Sequence, residues 1–128
     1  VAAVHAAAGA DAGVRALLGN PARIYDLPPA DPVFPYATLN RVESRQIDAS
    51  ESEAIEHALT LHVWSRYGGR AEAIDAIAAL RTALHDAPLS VSGRKLVFAF
   101  VQFTDVFRSG DGITTHGVMR LRALTEAA

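Results

Sequence analysis

Apolar positions recur with two different periods along this chain, and the places where the period changes divide it into elements. From Val1 to Leu18 the residues Val4, Ala8, Leu17 and Leu18 return at roughly helical spacing. This predicts a helix that breaks near Gly13, because Gly9 and Gly13 each weaken it by about 1 kcal/mol relative to alanine. Asn20-Pro21 ends it, and the stretch Ala22 to Tyr36 holds four of the six prolines, which predicts a long stiff connection over the surface. Period two then sets in from Tyr36, with Ala37 and Leu39 on one side and Tyr36, Thr38, Asn40 and Val42 on the other. A second strand, about Ala58 to Tyr67, carries Leu59, Leu61 and Val63 on one face and Thr60, His62, Trp64 and Arg66 on the other. Such a mixed face needs a partner.

Gly68-Gly69 closes that strand, where a sharp turn is expected to use the conformational freedom of glycine. In RAEAIDAIAALRTALHD the positions Ile74, Ile77, Ala78, Leu80, Arg81 and Leu84 predict a helix with one inward stripe, and Glu72, Asp75 and Arg70 facing water. Arg94 to Arg108 is rich in valine and phenylalanine on both parities, which predicts a strand buried on both faces at least to Val101. After the turn Ser109-Gly110-Asp111-Gly112 the last strand alternates cleanly. It carries Gly117, Met119, Leu121 and Ala123 on one face, with His116, Val118, Arg120 and Arg122 on the other. Between the first two strands Glu43, Asp48, Glu51, Glu53 and Glu56 face Arg45 alone, and this run reads as the solvated tip of a hairpin. The order of elements predicts an α+β fold: an antiparallel sheet of about four strands with two helices packed on one face, in a single domain over 1–128.

Half of the 128 residues are hydrophobic, so the chain can bury a core without cross-links. It contains no cysteine, which excludes disulfides and thiolate zinc sites. The net charge of −2, with Lys95 beside eleven arginines, argues against a protein that grips phosphate backbones. Nor does the interrupted N-terminal stretch read as a membrane span or secretory signal.

Candidate chemistry is sparse. His5, His57, His62, His85 and His116 show no metal-ligand spacing, so no metal and no cofactor is expected. His57 and His62, five apart on one strand, point to opposite faces. An enzyme reading would require His62, Asp105 and His116 to converge in one pocket, with a histidine as base. Arg120 and Arg122 share a strand face and could form an anion groove, though a solvated face or salt bridges is the simpler reading. Trp64 is either a core aromatic under the proline segment or an interface residue.

Three stretches taken together, RIYDLPPADPVFPYATL, LTLHVWSRYGGRAEAIDAIAALRTAL and VFRSGDGITTHGVMRLRAL, resemble the tail-completion or tail-terminator family of long-tailed phages and gene transfer agents. The similarity runs from about Arg23 to Leu124. It implies a non-enzymatic structural protein of the virion or particle, assembled in the bacterial cytoplasm. The implied assembly is a ring, commonly of six copies, that caps the tail tube and meets a neck or stopper protein while DNA passes without specific binding and no membrane is involved. On that reading Phe34, Trp64, Arg66, Arg120 and Arg122 are candidates for subunit contacts. Glu43, Asp48, Glu51, Glu53 and Glu56 are candidates for the channel wall or the joint with the tube. The alternatives are a head-completion or stopper protein of the same neck, or the small enzyme above.

Overall fold

The structure is a computed structural model, in which residues 1–48 and 53–127 are described; Glu51 and the side chain of Asp48 lie outside the described residues. The elements in chain order are α1 (Ala2–Ala10), α2 (Ala12–Leu18), β1 (Ile24–Tyr25), β2 (Tyr36–Asp48), β3 (Glu53–Ser65), α3 (Ala71–Leu84), β4 (Arg94–Arg108) and β5 (Thr115–Ala127). The α+β class stands, with five strands and three helices among the described residues rather than four and two. The sheet order is β1-β2-β3-β5-β4; β1 runs parallel to β2, and every other pair is antiparallel.

The N-terminal helix breaks at Asp11, two residues before the expected glycine. Asp11 is extended, and its carboxylate accepts the Val14 amide at 3.0 Å as the cap of α2. Arg15 closes the break from the other side by donating to the carbonyls of Gly9 and Ala10 at the end of α1. The proline segment contributes β1, which joins the sheet where Ala37 N donates to Arg23 O.

All three helices cover one face of the sheet. Val4, Ala8, Val14, Leu18, Ala76, Ile77, Leu80 and Leu84 pack on Ala37, Leu39, Leu59, Leu61, Val63, Met119, Leu121, Ala99 and Val101. The stripe of α3 is turned from its expected position. Ala73 and Ala76 are buried, whereas Ile74 is 49% exposed and Ala78 and Arg81 face water. The cause is the closeness of helix and sheet: a Cβ on Gly117 would stand 2.8 Å from Ile77 Cγ1. Gly117 makes room for Ile77, so Ala73, Ala76, Ile77, Leu80 and Leu84 form the contact and Ile74 is left outside. Gly68 and Gly69 have neither a positive φ nor crowding around their Cα atoms, so the turn into α3 does not use glycine's special conformations; Gly112, at φ 76°, does.

Two expectations for the strands are corrected. The acidic run does not begin as a turn at Glu43. Its described residues continue the ladder, Glu43↔Ala58 through Asp48↔Glu53, as the outer part of the β2–β3 hairpin, here called the arm, in which Asn40 to Gln46 are exposed while β3 stays paired with β5 as far as Ile55. Strand β4 is an edge strand with one open face, not a strand buried on both sides.

Candidate interaction surface

The sheet face opposite the helices is uncovered among the described residues, and β4 shows why its composition misleads. Register shifts fall between Leu96 and Phe98 and again between Val101 and Phe103. Each bulge adds one residue and reverses the parity of the residues beyond it. Leu96, Ala99, Val101 and Val106 consequently turn to the core, while Phe98, Phe100, Phe103, Asp105 and Phe107 line up opposite Leu124, Arg122, Arg120, Val118 and His116 on the open face. Phe100, Phe103 and Phe107 are 41%, 43% and 40% exposed. Without the bulges the phenylalanines would be divided between the two faces.

Arginines and aromatic rings interleave across this surface. The Arg120 guanidinium lies 5.0 Å from the Phe103 ring centre and that of Arg122 lies 5.3 Å from Phe98. Arg122 also donates to Glu56 at 3.0 Å, and Arg45 reaches the same carboxylate at 3.4 Å. The hydrogen bond from Arg122 holds the Glu56 carboxyl below the usual range. Arg120 has no carboxylate partner among the described residues.

Toward the loop end the face is built on histidine and tryptophan. His62 Nδ1 and His116 Nε2 are 2.6 Å apart, Trp64 stacks on His116 at 3.9 Å between ring centres, and Phe107 stands at 4.9 Å. Trp64 Nε1 donates to the buried Thr38 hydroxyl at 3.2 Å, which fixes the indole against the sheet. Burial holds both histidines below the ordinary imidazole range, and for His116 the neighbouring His62 adds to the effect. Phe34 packs edge-on against Tyr36, and Arg66 lies over the Phe34 ring at 4.4 Å.

Of the expected contact residues, the structure brings Trp64, Arg120 and Arg122 onto one surface and sets Phe34 and Arg66 at its end. Glu43 and Glu56 lie along the arm, Glu53 opens β3, and Asp48 closes β2. Glu43 is paired with Arg41 at 3.0 Å. His62 and His116 meet, but Asp105 is exposed and hydrogen-bonds to neither among the described residues, so the three do not form a catalytic cluster. The four phenylalanines of β4 escaped the sequence reading because their signal, apolar residues on both parities, is shared by a doubly buried strand.

His57 faces the other way, as its spacing from His62 required. It bonds Ser44 and Thr125 at 2.9 Å each, and Thr125 accepts from Arg94 at 2.8 Å. This polar chain ties β2, β3, β5 and β4 together at the root of the arm. It borders an apolar recess lined by Val4, Val42, Leu59 and Leu96, and its residues act as structural links.

A small domain with its aromatic residues held outward on an uncovered sheet belongs to the class of assembly subunits, whose surfaces are completed by other proteins. The comparisons give the family: Tail completion protein gp17 matches residues 2–126, and the chain belongs to it. A tail completion protein gp17 of Bacillus phage SPP1 is 28% identical over 102 residues, covering 78% of this chain and 74% of its own. A chain from the virion of a native gene transfer agent particle superposes with a TM-score of 0.88 at 27% identity, over 98% of this chain and 93% of that one. The protein is thus a structural protein of a phage-type tail, part of a virion or gene transfer agent particle.

Proposed function

We propose that this protein is the tail terminator: six copies close into a ring on the end of the tail tube, stop its growth and present a surface to the neck. The observation that carries this reading is the open aromatic and arginine face, which supports a subunit contact because a stable monomer gains nothing from four outward phenylalanines. Trp64, Arg120 and Arg122 lie in that contact, with Phe34 and Arg66 at its border. The acidic arm, with Glu43, Asp48, Glu51, Glu53 and Glu56, faces the channel, where like charge lets DNA slide without adhering. The role is mechanical and involves no catalysis or cofactor.

Tube lengths read the function directly. Tube protein polymerised with the wild-type chain should give tubes of bounded length carrying an end ring in electron micrographs. The double variant Phe103→Thr/Phe107→Thr should leave growth unbounded. Tubes that lengthen freely in the presence of the wild-type protein would overturn the terminator reading.

A further inference from the structure

A second surface lies at the loop end of the sheet, beside the open face and built differently. The β3–α3 connection, Arg66-Tyr67-Gly68-Gly69-Arg70, and the β4–β5 turn, Ser109 to Thr114, with Arg108 and Thr115 at its ends, stand side by side. Two bonds tie them: Arg66 Nε donates to the Thr114 hydroxyl, and the Thr115 hydroxyl donates to the Gly69 carbonyl, both at 3.3 Å. Asp111 shapes the turn from inside. Its Oδ1 accepts the amides of Ile113 and Thr114 at 3.0 and 2.8 Å, and its Oδ2 accepts the Thr114 hydroxyl at 2.7 Å. These bonds hold its carboxyl below the usual range, and both oxygens are committed to the turn.

An open cup of about 320 Å³ results, lined by Arg66, Tyr67, Arg108, Ile113 and the neighbouring glycines. Arg66 and Arg108 have no carboxylate within ion-pair distance among the described residues; Arg66 lies over Phe34, bonds Thr114 and acts on the Asp111 carboxylate only through space. Tyr67 and Ile113 are 61% and 63% exposed, so two apolar side chains stand in water beside the unpaired arginines. Arginine and tyrosine around an open concavity are the composition of an interface centre, and loops tied by side-chain bonds are ordered before anything binds.

We propose that this cup docks an acidic segment of another tail or neck protein, its aspartate or glutamate side chains meeting Arg66 and Arg108 while its apolar side chains cover Tyr67 and Ile113. This rests on the terminator reading and adds which end of the subunit meets a different protein. Charge complementarity selects the partner: Arg108, without a carboxylate, beside Arg66, whose guanidinium makes no ion pair, calls for carboxylates or phosphates. The exposed Tyr67 and Ile113, in a chain of net charge −2 without a lysine at this end, favour a protein over a DNA backbone.

The test uses the full chain and a fluorescent peptide of alternating glutamate and leucine, with its glutamine counterpart and a short DNA duplex as comparisons, followed by anisotropy. The glutamate peptide should bind the wild-type chain more tightly than the other two. Arg108→Glu should weaken it by about tenfold or more, and Tyr67→Ala by about threefold or more. All these side chains are exposed, so unfolding temperatures should be unchanged and any lost binding is lost contact. Peptide affinity indifferent to both variants, or a duplex bound more tightly than the peptide, would overturn the docking site. Tube capping by the same variants is a separate readout: uncontrolled tubes with the wild-type chain sink the terminator reading whatever the peptide does, whereas variants that cap normally yet release the peptide uphold the cup as distinct from the ring contact.

Discussion

The contact between His62 and His116 makes the open face sensitive to pH. At 2.6 Å one ring must donate to the bare nitrogen of the other, and charging both rings sets two N–H groups against each other. Both histidines titrate below the unfolded value of about 6.5. The unfolded chain therefore takes up protons first on acidification. Their contribution to stability is complete above about pH 6.5 and is lost as the pH falls from there through the folded values. Trp64 is the only tryptophan and stacks on His116, so its fluorescence should report this titration as quenching on acidification, and His116→Gln should reduce the change, leaving only the share of the more distant His62. Gly117 gives a second expectation at this scale. Gly117→Ala should destabilise the protein by about 1–3 kcal/mol through collision with Ile77. The same change in an Ile77→Ala background should cost clearly less, measured by denaturant unfolding.

Among the elements, β4 and the arm depart most from what alternation suggests. The two bulges of β4 bend and disrupt its ladder, which blunts an otherwise long exposed edge while gathering the phenylalanines on one face. Since Phe103 and Phe107 are more than a third exposed, Phe103→Thr/Phe107→Thr should change monomer stability by no more than about 1–2 kcal/mol while abolishing ring assembly. Calorimetry and sedimentation check the two halves separately. The arm is held by Arg45 and Arg122 on Glu56 and by the bonds of His57 at its root. Glu56→Gln should therefore speed amide exchange along β2 beyond Asn40 and leave the α3 amides untouched. The contribution of the ion pair is complete above the unfolded carboxyl value near 4.5 and is lost as the pH falls from there through the lowered folded value.

Across the molecule as a unit, the helices close one side of the sheet and leave the other open among the described residues, which is the face proposed for the subunit contact. The isolated chain should sediment as a monomer or weak oligomer at micromolar concentration, because rings formed away from a tube would compete with tail assembly. A stable fibre would contradict a contact that closes. The charges of the arm divide the remaining options. Glu51→Lys/Glu53→Lys should give tails of normal length that pass DNA slowly if the arm faces the channel, and overlong tails if it meets the tube end. Tail length in micrographs and DNA delivery per particle separate the two.

Legible in the amino-acid order alone were the α+β class, the inward faces of β3 and β5, the placement of His57 and His62 on opposite sides, and the resemblance to tail terminators. These depend on local periodicity and on short runs of residues read directly. That Arg120 and Arg122 share a face was equally accessible, since a regular strand fixes which of its side chains lie together, whereas their joining Trp64 on one surface required the pairing of β3 with β5. Other features were settled by contacts between distant residues. The break at Asp11 depends on a cap and on Arg15 reaching back, and the turned stripe of α3 depends on Gly117 lying under Ile77. The acidic run continues as a ladder because β3 is held by β5 on its other side, which tolerates charge on an exposed partner strand. The four phenylalanines became one surface through two bulges whose positions no alternation encodes, because a bulge is fixed by which partner each residue meets in the neighbouring strand.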